Sequence, residues 1–138
     1  MKLDLLLAAD YANITGDGKL NVMGIFREIN ADNFPTRLVS MHLVIRLIAE
    51  LGEYGASRDL FVFLRDPDGV DKFRVTGRVD IPKGEGGIIP QVNIILELKD
   101  LVFPQPGIYQ FVVMVDKDYK GDMALYVNQV ETPTSIRG

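Results

Sequence analysis

Along most of the chain, apolar and polar residues alternate with a period of two, the spacing that puts successive side chains on opposite faces of a β-strand. The cleanest case is FRVTGRVDI, where Phe73, Val75, Val79 and Ile81 alternate with Arg74, Thr76, Arg78 and Asp80. HLVIRLIAE puts Leu43, Ile45, Leu47 and Ala49 on one face, and VNIILELK sets Val92, Ile94, Leu96 and Leu98 against Asn93, Ile95, Glu97 and Lys99. YQFVVMVD gathers Tyr109, Phe111, Val113 and Val115, while DLFVFLR and MALYVNQV are two further strand segments. At the start, Leu5, Leu7, Ala9 and Tyr11 share a face, with Asp4 and Asp10 opposite. The turn-forming NITGDG then precedes Leu20, Val22 and Phe26, so the opening reads as a β-hairpin.

The segments are joined mostly by short turns, such as DPDG, whose Asp, Pro and Gly suit a type I turn. KGEGG and DKDYKGD read as loops, and REINADNFPTRLVS is the longest connection, with no sustained helical period. About eight strands without intervening helices predict an all-β fold: an antiparallel β-sandwich, immunoglobulin-like or jelly-roll-like, with a closed barrel as the alternative. Residues 1–130 form one domain on this reading, and 131–138, ETPTSIRG with Glu131 at its head, a polar C-terminal tail. In FPQPGIYQFVVMV the Pro-Gly-x-Tyr step resembles the tyrosine corner of immunoglobulin-like sandwiches, whose hydroxyl bonds to backbone just upstream. Tyr109 as an ordinary core residue is the other reading.

Composition narrows function mainly by exclusion. Of 138 residues, 47% are hydrophobic and 25% charged, enough for a single core. No apolar run approaches the roughly 20 residues of a membrane helix. Asp4 and Asp10 leave too short an apolar run between them for a secretory signal, so a cytoplasmic location is expected. The absence of cysteine excludes disulfides, thiol catalysis and cysteine-ligated zinc. A net charge of −4 argues against a nucleic-acid partner. The opening LLLAADYANITGDGKLNVMGIF, with PGIYQFVVMVD and ALYV near the other end, resembles a family of small bacterial all-β proteins known only as a domain of unknown function. The shared opening has the form ADYAN-x-T-x-DGKLN-V-x-GIF. The resemblance implies a compact β domain and transfers no catalytic or binding residue.

Catalytic chemistry finds no foothold, and no cofactor is expected. His42 is the only histidine, and none of Ser40, Ser57 and Ser135 stands in a nucleophile-elbow context. Two acidic stretches suit calcium by composition: Asp66, Asp68 and Asp71, and Asp116, Asp118 and Asp122. Neither follows the EF-hand order. Antiparallel succession places the two at opposite ends of the sandwich, where they share no ion. Asp17 or Glu85 would lie at the end of DKDYKGD, but Lys117 and Lys120 dilute its negative field. No metal site is expected, and acidic turn residues chosen for backbone geometry account for both stretches.

The anomaly is apolar residues on both faces of several strands, where a sheet covered on one side should alternate. Phe61 and Phe63 stand opposite Leu60, Val62 and Leu64, and Val112 and Met114 opposite Phe111 and Val113. Val44, Ile48, Ile95 and Leu6 extend the pattern. Either residues 27–39, with Ile29, Phe34 and Leu38, fold back over this second face, or another chain covers it. The expected function is a non-enzymatic interaction or structural module, self-associating or bound to another protein through an apolar face or edge. Phe61, Phe63, Val112 and Met114 are the candidate interface residues. The alternative is a domain binding a small ligand, sugar or calcium ion with its Gly-rich loops at one end, where Tyr54 and Tyr119 could stack on a ring.

Overall fold

The computed structural model describes residues 1–131; the expected polar tail lies, but for Glu131, outside the described residues. The described residues form nine strands: β1 Lys2–Ile14, β2 Leu20–Phe26, β3 Glu28–Ala31, β4 Thr36–Ile48, β5 Ser57–Arg65, β6 Asp71–Asp80, β7 Gln91–Phe103, β8 Gly107–Val115 and β9 Asp118–Gln129. They form a four-stranded sheet, β2-β1-β4-β7, and a five-stranded sheet, β3-β9-β8-β5-β6. The core lies between them, so the chain is an all-β sandwich. Among the described residues there is no helix, and hence none long and apolar enough to cross a membrane.

The predicted inner faces of β4, β6, β7 and β8 are the observed ones. Leu43, Ile45, Leu47, Val79, Leu98, Tyr109, Phe111, Val113 and Val115 are buried in one cluster, with Phe73, Val75, Ile94 and Leu96 against it. β1 is a correction. Its pairing with β4 shifts between Leu3 and Leu5, a bulge at Asp4, and Leu3, Leu6 and Ala8 are the residues that reach the core. Leu5, Leu7, Ala9 and Tyr11 do share a face, but it is the outer one. One extra residue in a period-two strand exchanges the faces on either side of it.

REINADNFPTRLVS is also not a plain connection. Glu28–Ala31 forms β3, which pairs parallel with β9, and residues from Thr36 onward belong to β4. Ile29, Phe34 and Leu38 pack against the core between the sheets, so this segment does not lie across an outer face. DKDYKGD is corrected likewise: the β8–β9 turn is only Asp116 and Lys117, Asp116 takes a left-handed φ of 54°, and the rest is strand.

At its far end the β4–β7 pair turns over. Met41 and Leu98 face the core, and beyond the opposed Val39 and Asp100, Leu38, Leu101 and Phe103 face it instead. Asp100 sits at φ 56°, which lets the strand reverse its facing. The Tyr109 hydroxyl donates to the Gln105 carbonyl oxygen at 2.7 Å, and its ring is fully buried edge-on to Phe103, 5.0 Å between centroids. Tyr109 is thus a core residue and a corner at once.

Candidate interaction site

The four candidate interface residues meet on the outer face of the five-stranded sheet. Phe61 lies directly across from Met114, and Phe63 from Val112. Within the single chain, however, Phe63 is 7% exposed and Val112 4%. The Arg74 guanidinium lies over both rings, 4.7 Å from the Phe63 centroid and 5.6 Å from that of Phe61. This cation–π contact from β6 caps much of the face.

The outer face of the four-stranded sheet is more open. One row runs Leu7, Val44 and Ile95 across β1, β4 and β7, and on the neighbouring rows toward β2 Ile25 stands opposite Ala9 and Met23 opposite Tyr11. Met23 is 64% exposed and Ile25 58%. His42 belongs to this face: its ring meets Tyr11 edge-on at 5.2 Å, and its Nδ1 is 3.1 Å from the Asp10 carbonyl oxygen. These are the contacts of a sheet-surface residue.

The two lateral sides of the sandwich differ. On one, β1 lies against β9, and the chain passes from β2 to β3 through Arg27 alone. On the other, between β6 and β7, a cleft of about 550 Å³ opens toward the core, lined by Leu64, Phe73, Val75, Leu98 and Leu101 with Lys72, Glu97, Lys99 and Asp100. A second pocket of about 190 Å³ shares Val75 with it and reaches Leu60, Val79, Ile94 and Leu96. β6 and β7 are both edge strands, so backbone polar groups as well as apolar side chains are presented along this side.

The acidic stretches occupy opposite ends of β5. Asp66 Oδ1 accepts the N–H groups of Asp68 and Val70 at 2.9 and 2.8 Å, and Oδ2 lies 3.5 Å from Lys72 Nζ. The Val70 bond, outweighing burial, holds its carboxyl below the usual range. At the other end Asp116 accepts the Asp59 N–H at 3.0 Å and lies 3.6 Å from Arg58 Nε. Both groups serve their turns. Tyr119 donates to Asp122 at 2.5 Å, the Ser57 hydroxyl to Asp80 at 2.6 Å, and Tyr54 packs beside Gly84 and Pro90. Ser40 is exposed on β4, and Ser135 lies outside the described residues. Among the described residues no three His, Asp or Glu side chains converge as a metal site would require.

Sequence reasoning missed β7 as an edge strand beside an open cleft. Strand order is a property of the whole sheet, and the only local signals were Pro90 and Ile95 on the otherwise polar face of VNIILELK.

The profile of a family of unknown function, DUF6941, matches residues 4–128, and the chain belongs to that family. No curated protein matches the chain.

Proposed function

We propose that the protein is a non-enzymatic interaction module of the cytoplasm that associates with itself through the apolar outer face and free edge of its four-stranded sheet. One observation carries the reading: Tyr11, Met23 and Ile25 stand exposed on the β2 side of this face, and the Leu7, Val44, Ile95 row, in which Val44 is buried and Leu7 and Ile95 half-buried, reaches an edge strand that no segment of the described chain covers. The face built on Phe61, Phe63, Val112 and Met114 is the lesser surface, because Arg74 and close packing already cover half of it. Burying one large apolar side chain contributes roughly 1.5–3 kcal/mol. Several per protomer offset an association cost estimated at about 4–15 kcal/mol.

Sedimentation of the unmodified protein tests this. A mass that is a multiple of 15.4 kDa is expected at low micromolar concentration. A single 15.4 kDa species over a wide concentration range would refute it. A second reading, small-ligand binding, is favoured only by the cleft between β6 and β7, whose volume and apolar lining suit a small apolar molecule better than a sugar or an ion. It predicts ligand uptake with no change of mass.

A further inference from the structure

We infer that two copies of this chain join edge to edge through β7, antiparallel about a two-fold axis at Ile95, so that two four-stranded sheets become one of eight. The inference rests on the self-association proposed above and names its surface and register.

The other edges are unsuited to such pairing. β3 has four residues, and β2 carries Gly24 at φ 70° in its seven. β6 holds Asp71, Lys72, Arg74, Arg78 and Asp80 around a central Gly77. Charges, glycines and brevity are how natural edge strands avoid pairing. Between Gln91 and Leu98, β7 has no proline, glycine or cation, and Glu97 is its one charge.

Register follows from two independent facts. Pro90 bounds the regular part of the strand on one side, because proline lacks the N–H a ladder needs, and Asp100 at φ 56° bounds it on the other. Nine residues, 91–99, remain, and their midpoint is Ile95. Antiparallel neighbours directly opposite each other share a face, so a two-fold through a residue pairs it with its own copy. Centred on Ile95, the partner's Leu96 faces Ile94 and the partner's Leu98 faces Val92. The partner's Glu97 faces Asn93 and the partner's Lys99 faces Gln91. Apolar meets apolar and polar meets polar at every position.

Neighbouring axes fail. On Ile94 the axis opposes Ile95 to the partner's Asn93, and on Leu96 it opposes Ile95 to the partner's Glu97. On Glu97 it sets two carboxylates face to face, and on Leu98 it sets Leu96 against the partner's Asp100. The axis that uses the full regular segment is also the one whose side chains match. It also makes the Leu7, Val44, Ile95 row continuous across both copies.

The native chain has no cysteine, so single cysteines report the register directly. Across an antiparallel ladder directly opposed Cα atoms lie about 4.5–5.5 Å apart, within disulfide reach. Ile95→Cys under mild oxidation is expected to give a covalent dimer. Glu97→Cys is expected to give none with itself, since the two copies would stand four residues apart along the strand, about 13 Å. Mixed with Asn93→Cys it should give the mixed dimer. Ile95→Lys should leave the strand signal in circular dichroism intact and the protein monomeric. If the unmodified chain sediments as a dimer while Ile95→Cys stays uncrosslinked, or Glu97→Cys crosslinks as readily, the β7 axis is wrong and self-association uses another surface. If it sediments only as a monomer, this inference and the reading beneath it both fall.

Discussion

The two sides of the sandwich solve the same problem in opposite ways. On the closed side β1 and β9 approach so nearly that a Cβ on Gly121 would stand 2.5 Å from Leu3 Cδ2, and the sheets seal each other's margins. On the open side β6 and β7 stand apart around the cleft, and Ile94 and Leu96 remain only partly buried beside it. A sandwich therefore does not need symmetric closure to hold a core. The strands whose inner residues are buried throughout, β5 and β8, lie in its middle, and the margin left open is where apolar surface and free backbone coincide.

That contrast can be broken by truncating one leucine on each side. Leu125 on β9 is fully buried, and Leu125→Ala should cost about 3–4 kcal/mol, in the range for core leucines. Leu96→Ala on β7 should cost about 1 kcal/mol, because the site is already half open and much of the transfer term is absent. Urea midpoints at equal m-values decide it, and equal losses would mean that the two sides are equally sealed.

Glycines give the next largest effect. Gly121→Val must displace Leu3 and is expected to destabilise by about 1–3 kcal/mol. Gly77→Val on β6 meets nothing within 4 Å and lies in a strand, so it should be neutral or stabilise by up to about 1 kcal/mol. Thermal unfolding of the two variants measures the sign directly.

Tyr109→Phe removes the tether that holds the β7–β8 connection at the end of the open cleft. The Gln105 carbonyl loses its buried partner, and a loss of about 1–2 kcal/mol is expected in chemical denaturation. A change indistinguishable from zero would show that the ring packing against Phe103 alone fixes this corner.

The smallest expected effect is a pH dependence confined to the cleft end. The folded-state pKa of Asp66 is depressed by the Val70 N–H bond, so its contribution to stability is present above the unfolded pKa and lost as pH falls through the folded value. Asp66→Asn should therefore be less stable than the parent at neutral pH, and the gap should narrow as pH drops below the usual carboxylate range. A gap that stays constant with pH would assign the effect to turn geometry.

Much of the fold was legible because β6 and β8, and β4 and β7 up to the point where that pair turns over, carry a period of two with large residues inside. β1 was misread because Leu5, Leu6 and Leu7 offer leucine to either face, and the one-residue bulge at Asp4 has no signature of its own. β3 escaped because Glu-Ile-Asn-Ala has no strong propensity, and its parallel place beside β9 is imposed from the far end of the domain. DKDYKGD looked like a loop because Asp, Lys and Gly are turn residues, although two of them suffice for the turn. The candidate site was half legible. Doubly apolar strands were visible, but which of them would be an edge depends on sheet order, which no local pattern encodes.

The closed side also sets an order of events in time. Asn30 on β3 and Asn128 on β9, whose side chains hydrogen-bond at 3.1 Å, are 98 residues apart, so the seam they mark joins early and late parts of the domain. β8 ends at Val115 and β9 at Gln129, so during synthesis at about 5–20 residues per second β4 through β8 precede a complete β9 by about 0.7–3 s. Through that interval β1 lacks its cross-sheet neighbour and β3 its partner strand, and the nascent domain is open on both flanks. Arrival of β9 converts a two-sided aggregation hazard into a one-sided, addressable edge.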